Sequence, residues 1–271
     1  SYGSLGNNEV GNYDYQRFYA ASNYILNNAV QIGMSQRALS NAALTWETTY
    51  VTNIGADFGL FNKLNGSFDF FVKNTKDILI DLPAPLVHGN ATIPKTNAGE
   101  VRNRGIELNL AWNDRIGQVD YFVGGNFTYV KNEVTKFKGK ESTITGTNMI
   151  LEGQPINIQY VLSVDRIVQT AEDLALVQAM VDANPDAFSQ YKRPELGDFL
   201  YKDTNGDGRI TSDDRIMVGN GTNPTTTYGF NFGASWKGLD FSCILQGAAG
   251  LKVYWNGQDG GSYWPLKRRG N

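Results

Sequence analysis

Residues 103–134 alternate between apolar and polar side chains in two runs that a short polar segment separates. The apolar positions of the first run are Ile106, Leu108, Leu110 and Trp112, and those of the second are Val119, Tyr121, Val123, Phe127 and Tyr129. Because successive side chains on a strand point to opposite faces, each run predicts a strand with one apolar and one polar face. The polar segment, residues 114–118, predicts the turn of a hairpin. Each run has about ten residues, the length of a tilted strand that crosses a bilayer.

The same alternation recurs twice more, so the sequence predicts three hairpins. Residues 46–80 alternate in two runs joined by a turn at 61–63, and residues 226–245 alternate around a turn at 237–238. Both turns are as short as the one in the first hairpin. Three hairpins with such short turns indicate an antiparallel, all-β arrangement.

Two long segments separate the hairpins and are predicted to leave the sheet. Residues 82–100 contain Pro83, Pro85 and Pro94, and proline lacks the N–H group that a central strand must donate. Residues 135–223 form a longer excursion. Short turns on one rim and long loops on the other are typical of outer-membrane barrels.

The sequence therefore divides into four predicted segments. These are a strand end and an irregular extracellular loop at 1–44, two barrel hairpins with their intervening loop at 45–134, a long extracellular excursion at 135–224, and a further hairpin with a truncated end at 225–271. Six spanning strands would leave open edges exposed to lipid, so an incomplete barrel is expected. The predicted fold class is all-β: an antiparallel transmembrane β-barrel segment with long extracellular loops and one short helix.

The short helix is predicted at residues 171–183, inside the excursion. Leu174, Val177 and Val181 recur there at helical spacing. Thr170 is the expected N-cap, because a threonine hydroxyl can accept a bond from an N–H of the first turn.

Composition narrows the function classes. Charged residues make up 19% of the chain, below the usual ~25%. The net charge of −3, without a basic cluster, argues against nucleic-acid binding. A single histidine and a single cysteine leave little for a zinc site or a Ser-His-Asp triad, so no enzyme activity is expected.

Residues 203–214, DTNGDGRITSDD, have the spacing of a calcium-binding loop. The predicted oxygen ligands are the side chains of Asp203, Asn205 and Asp207, the carbonyl of Arg209, and the side chain of Asp214. Asp214 stands where a longer glutamate usually closes such a loop. The alternative is a metal-free turn, since Asp, Asn and Gly favour turns in any case. The sequence therefore leaves two predictions for this loop, possible Ca²⁺ binding and a metal-free turn.

Several stretches, taken together and in order, carry a family resemblance. They are residues 44–49 (LTWETT), 53–61 (NIGADFGLF), 97–108 (NAGEVRNRGIEL), 153–156 (GQPI), 197–198 (GD), 201–208 (YKDTNGDG), 228–231 (YGFN) and 245–247 (LQG). In this order they resemble the SusC/RagA family of TonB-dependent outer-membrane transporters. Residues 264–269 depart from what the family would show next.

The resemblance implies a function in nutrient uptake. It implies a plugged barrel of roughly 22 strands, of which this chain would form a late part. It further implies an importer of oligosaccharides or peptides in the outer membrane of Gram-negative bacteria. The expected partners are a SusD-like surface lipoprotein that acts as a lid, TonB through a missing N-terminal region, the ligand and the lipid bilayer.

One alternative of a different class remains, a soluble secreted carbohydrate-binding or adhesive β-sandwich. The two readings differ in the surroundings of Ile106, Leu108, Leu110 and Trp112. A barrel exposes these side chains to lipid, whereas a sandwich buries them under a second sheet.

Overall fold

The computed structural model describes residues 1–7, 15–81, 91, 94–139, 143–145, 147–221 and 223–252. Over these residues the chain forms fifteen strands and one α-helix, with a short 3₁₀ turn at Ser212–Asp214. In chain order they are β1 (Tyr2–Asn7), β2 (Phe18–Leu26), β3 (Ala29–Ala38), β4 (Glu47–Leu60), β5 (Leu64–Ile80), β6 (Thr96–Ile116), β7 (Val119–Phe137), β8 (Thr143–Thr145), β9 (Asn148–Ile150), β10 (Ile158–Leu162), β11 (Val164–Ile167), α1 (Ala171–Ala183), β12 (Phe199–Tyr201), β13 (Arg215–Val218), β14 (Thr226–Trp236) and β15 (Leu239–Ala249). No helix in the described ranges is long and apolar enough to span a membrane.

The largest unit is a seven-stranded antiparallel sheet with the order β1-β4-β5-β6-β7-β14-β15. The predicted hairpins supply its six long strands, and β1 pairs with β4 at one edge. Within the described residues the sheet is open, with β1 and β15 as its edges. The all-β, antiparallel fold class is confirmed, and over these residues the sheet does not close on itself.

The register places the alternating apolar residues of all six long strands on a single face. Phe68 lies opposite Leu108, which lies opposite Phe127, and further along the sheet Val123, Phe232 and Cys243 are consecutive partners. We call this side the apolar face. The other side, the polar face, carries Asn65, Ser67, Asn109, Asn126 and Asn231 among others.

The sheet has two distinct rims. The turn rim holds the short connections at residues 61–63, 117–118 and 237–238. The turn predicted at 114–118 is narrower than expected, because Ile116 still pairs with Val119 and Gly117 alone takes a positive φ of 62°. At the opposite end, the loop rim, the chain enters its long connections.

β6 and β7 extend further toward the loop rim than the alternation predicted. They contain 21 and 19 residues, and Gly99 still pairs with Phe137. The loop predicted at 82–100 is therefore wrong from Thr96 onward. Residues 96–100 lack alternation, and their strand conformation depends on pairing with β5 and β7, which is not visible locally. Residues 82–90 and 92–93 lie outside the described residues.

The irregular loop predicted within residues 1–44 is also wrong in part. β2 and β3 form a separate hairpin there, while β1 is the expected strand end. Asn27 and Asn28 close this hairpin with φ angles of 53° and 58°. Asparagine tolerates this left-handed conformation, so an Asn-Asn pair can act as a two-residue turn without glycine.

The excursion between β7 and β14 holds most of the buried core. β13, β10, β9 and β8 form one small sheet, and β11 pairs with β12. Val168, Val177 and Leu200 are almost fully buried against one another. The helix is confirmed at Ala171–Ala183, where Thr170 accepts from the N–H of Asp173 and the Asp173 side chain accepts from the N–H of Thr170.

Candidate functional site

The polar face carries many amides and hydroxyls. Asn109 Nδ2 donates to Ser67 Oγ at 3.2 Å, and Asn132 Nδ2 donates to Asn103 Oδ1 at 2.7 Å, each bond linking neighbouring strands. A shallow recess of about 740 Å³ lies over this face, with Ser67, Asn109 and Asn231 in its lining. Amides offer both donors and acceptors, so such a wall can bond to hydroxyl-rich or peptide-like ligands.

Glycines make room for these amides. A Cβ atom at Gly229 would stand 2.9 Å from Nδ2 of Asn126, its cross-strand partner. Gly124 lies in the same way beneath Asn231. The amide side chains therefore lie flat over the backbone of the next strand, which keeps the polar face smooth.

Three carboxylates add negative charge to the polar face. Asp69 lies directly opposite Glu107, and Asp57 lies one pair further toward the turn rim. Within the described part of the chain none of the three forms a salt bridge or a side-chain hydrogen bond. This wall is therefore polar with an acidic excess.

The apolar face is exposed rather than covered. Ile54 is 68% exposed, Phe230 44% and Phe241 60%. In the described ranges, the buried apolar side chains instead lie at the loop-rim ends of β6 and β7 and in the excursion; they are Ala98, Val101, Val134, Met149, Ile158, Val168, Val177, Ala187, Leu200 and Ile210. The large apolar side chains of the sheet thus face the surroundings.

Polar and aromatic groups mark both ends of the apolar face. At the turn rim Trp112 Nε1 donates to Tyr121 Oη at 3.3 Å, and Lys63 Nζ lies 2.8 Å from Asp114 Oδ1. At the loop rim the same alternation continues into Arg104 on β6 and Lys131 on β7. These two cations carry no local signal in the sequence, because only the register of β6 against β7 brings them together.

The predicted calcium ligands lie in one compact loop of the excursion, residues 203–214, which we call the acidic loop. Asp203 accepts from the N–H groups of Gly206 and Gly208 at 2.7 and 2.8 Å. Asn205 accepts from the N–H of Asp207 at 2.9 Å. Asp207 in turn accepts from the N–H of Arg209 at 2.8 Å. Each of these side chains therefore shapes the backbone of its own loop.

Asp214 lies inside the acidic loop and connects its two arms, the segments around Thr204 and Thr211, by hydrogen bonds. It is fully buried; Oδ1 accepts from the N–H of Thr204 at 2.8 Å, and Oδ2 accepts from the N–H of Thr211 at 2.8 Å. Burial alone would raise the pKa of Asp214, but the N–H groups of Thr211, Thr204 and Asn205 outweigh it and hold the pKa below the ordinary value. Its carboxylate is thus an ionised acceptor.

The structure does not gather the acidic side chains into an obvious metal cluster. Among the described residues, no group of three or more His, Cys, Asp or Glu side chains is placed to hold a metal ion. The predicted set would add an amide oxygen and a carbonyl to its carboxylates, all hard donors that suit Ca²⁺. The calcium assignment of Asp203, Asn205, Asp207, Arg209 and Asp214 stays a prediction.

Comparison with known proteins adds a family and a set of relatives. Residues 2–267 match the family model described as TonB dependent receptor-like, beta-barrel. TonB-dependent receptor P26 of Formosa agariphila is 28% identical over 270 residues, which cover 94% of this chain and 25% of that protein. TonB-dependent receptor SusC of Bacteroides thetaiotaomicron is 24% identical over 222 residues, covering 80% of this chain and 21% of that protein.

Solved structures agree with the family match. The RagAB peptide importer in its closed-closed state has a TM-score of 0.67 and 26% identity, over 92% of this chain and 26% of that one. A second RagAB structure, in the open-open state, also gives a TM-score of 0.67. The chain spans about a quarter of the length of the relatives that it matches.

Proposed function

Because the chain belongs to the TonB-dependent receptor-like β-barrel family, we propose that it forms part of an outer-membrane importer of Gram-negative bacteria. The family comprises transport receptors rather than enzymes. In this proposal the apolar face contacts lipid and the polar face lines the lumen. The supporting observation is the register, which keeps one exposed apolar face continuous across the long strands.

The height of the apolar face suits a bilayer. On β5 its apolar positions run from Leu64 to Val72, which at about 3.3 Å per residue is roughly 26 Å along the strand. A tilt of about 40° reduces this to roughly 20 Å, near the ~25 Å band of outer-membrane barrels. Trp112 and Tyr121 at the turn rim would then lie at one membrane interface.

The soluble sandwich is the weaker alternative. A sandwich needs a second sheet over the apolar face, which would bury its large side chains. In the part of the chain that is described, Leu110 remains 39% exposed on that face. This exposure favours a lipid-facing surface.

We propose an oligosaccharide or a peptide as the imported ligand. RagAB is a peptide importer by name, and the resemblance covers 92% of this chain. The amides of the polar face can bond to sugar hydroxyls and to peptide groups alike. A SusD-like lipoprotein would cover the loop rim, and TonB would act through a part of the receptor that these residues do not include.

Calcium binding by the acidic loop is a separate part of the proposal. The oxygens of Asp203, Asn205 and Asp207, the carbonyl of Arg209 and the carboxylate of Asp214 would bind the ion, and their spacing supports it. To reach the ion, Asp203 and Asp207 would exchange backbone N–H bonds for coordination. Bound Ca²⁺ would brace the excursion at the loop rim.

Fractionation of the native protein tests the importer proposal. An antibody against residues 184–198 would be applied to separated outer-membrane and soluble fractions, with and without heating. We expect an outer-membrane band several times heavier than 29.9 kDa whose migration changes on heating. A soluble band near 29.9 kDa would overturn the proposal and favour the secreted binding module.

A further inference from the structure

Arg104 and Lys131 form a like-charged pair at the loop rim of the apolar face. They are direct cross-strand partners in the register of β6 and β7, and both side chains are exposed. Directly opposite residues have Cβ atoms about 5 Å apart, and like charges placed so destabilise a sheet. Among the described residues neither side chain forms a salt bridge or a side-chain hydrogen bond. A negative group at this position would offset their repulsion.

On β6 and β7 the charges beyond this pair are balanced, so the excess on these two strands is local. One row further out, Arg102 lies opposite Glu133, and its Nε donates to Asn74 Oδ1 at 3.0 Å. Near the ends of the strands, Lys136 Nζ lies 3.7 Å from Glu100 Oε1. On β6 and β7 the unbalanced positive charge is therefore confined to the first row beyond the apolar side chains of these two strands.

The position of the pair selects the kind of negative group. One row closer to the turn rim, Ile106 lies opposite Tyr129, and these side chains belong to the apolar face. If that face lies in lipid, Arg104 and Lys131 stand at the depth of the headgroups, where basic side chains attract anionic lipids. A guanidinium can bond to two phosphate oxygens, while an ammonium adds a point charge beside it.

We propose that Arg104 and Lys131 together bind the phosphate of an anionic lipid headgroup in the leaflet at the loop rim. This inference rests on the proposed membrane position of the apolar face. The lipid would neutralise the pair, and its acyl chains would lie against the apolar side chains of β6 and β7.

The test uses the full-length receptor that carries these residues, in nanodiscs of phosphatidylcholine with or without lipid A. After mild detergent extraction, native mass spectrometry counts the lipid A molecules that remain bound. We expect retained lipid A on the unchanged receptor. Each cation contributes about fivefold to binding, so R104Q/K131Q should retain roughly 25-fold less.

A matched control changes the same charge at the opposite rim. R115Q/K237Q removes two exposed cations near the turns and should retain lipid A as the unchanged receptor does. R104K keeps the charge and should keep most of the retention, which separates charge loss from misfolding. Excess inorganic phosphate should displace little, because the acyl chains contribute to binding.

Three results would overturn the inference. Equal retention by R104Q/K131Q and the unchanged receptor is the first, and full displacement by inorganic phosphate is the second, since it would indicate a free-anion site. The third is that the unchanged receptor retains no lipid A while R104Q/K131Q loses a lipoprotein that co-purifies with the unchanged receptor. This result would assign the pair to a protein contact. Heat-modifiable migration, measured on the same samples, reports separately on the importer proposal.

Discussion

Leu108 lies directly opposite Phe127 in the register of β6 and β7, and both side chains stand on the apolar face. The residue that follows, Asn109, lies opposite Asn126 on the polar face. Neighbouring residues on the strand thus lie on opposite faces, one suited to contact lipid and the other suited to bind a polar ligand. Many of the expected effects of substitution follow from this alternation.

A lysine should be costly at position 108 and tolerated at position 109. In a bilayer a basic side chain near the midplane on the lipid face costs about 2–4 kcal/mol, whereas the lumen side remains hydrated. Unfolding of the full-length receptor by urea in lipid vesicles would measure Leu108→Lys against Asn109→Lys. Equal costs at the two positions would contradict the assignment of faces.

A methyl group should be costly at Gly105 and harmless at Gly125. A Cβ atom at Gly105 would collide with the carbonyl oxygen of Tyr129 and lie 2.8 Å from Cζ of Phe71. At Gly125 the closest approach is an ordinary 3.5 Å, to the carbonyl oxygen of Gly229. Gly105→Ala should lose about 1–3 kcal/mol of unfolding free energy. If Gly125→Ala proved equally destabilising, the space around the two glycines would not determine the cost.

Asp214→Asn should loosen the acidic loop, and Asp213→Asn should not. Asp214 is buried and bonds to backbone N–H groups on both arms, whereas Asp213 is exposed. Hydrogen bonds to a charged group are worth about 1.5–3 kcal/mol, so the loss should be of that order. Hydrogen exchange at the amides of Thr204 and Thr211 would report it. If the amides of Thr204 and Thr211 were equally protected in Asp214→Asn, the carboxylate would not be needed to hold the loop together.

Acid should have the same effect as removing the Asp214 carboxylate. The folded pKa of Asp214 is held below the ordinary value of about 3.9, so its ionised form stabilises the fold. That stability is complete above about pH 4 and is lost as the pH falls through the lower, folded pKa. Amide exchange at Thr204 and Thr211 should therefore change little between neutral pH and pH 5, after correction for the intrinsic rate. A large increase already near pH 6 would contradict this account.

Calcium should protect the acidic loop if the ligand prediction holds. Addition of Ca²⁺ after chelation should slow amide exchange across residues 203–214, and the variant D203N/D207N should lose the response because two carboxylate ligands are gone. Asp213→Asn, which removes one carboxylate that is not a predicted ligand, serves as the control. Identical exchange with calcium and with chelator, in the unchanged receptor, would leave the acidic loop as a metal-free turn.

Local signals predicted the elements that local interactions form. The bounds of α1 follow from Thr170 at its N-cap and from apolar residues at helical spacing. The β14–β15 hairpin follows from alternation on either side of Lys237 and Gly238. In both cases the residues that determine the structure lie within a few positions of one another.

The missed features depend on contacts between distant residues or on an unusual turn. The start of β6 at Thr96 requires pairing with Ile80, and the pairing of Arg104 with Lys131 requires the register of a hairpin. The hairpin of β2 and β3 turns on Asn27 and Asn28, without the glycine that usually signals such a turn. In the acidic loop, spacing suggested the ligands but not that Asp214 would be buried.

The most direct test of the central claim measures what surrounds each face. Nitroxide labels would be placed singly at Ile106, Glu107, Leu108 and Asn109, after Cys243→Ser removes the free cysteine of the described chain. Collision rates with oxygen, which concentrates in lipid, and with a water-soluble nickel chelate would then be compared in membranes. The account predicts oxygen contact at 106 and 108 and nickel contact at 107 and 109. Exclusion of both reagents at 106 and 108 would mean that a second layer covers the apolar face, and would contradict the barrel.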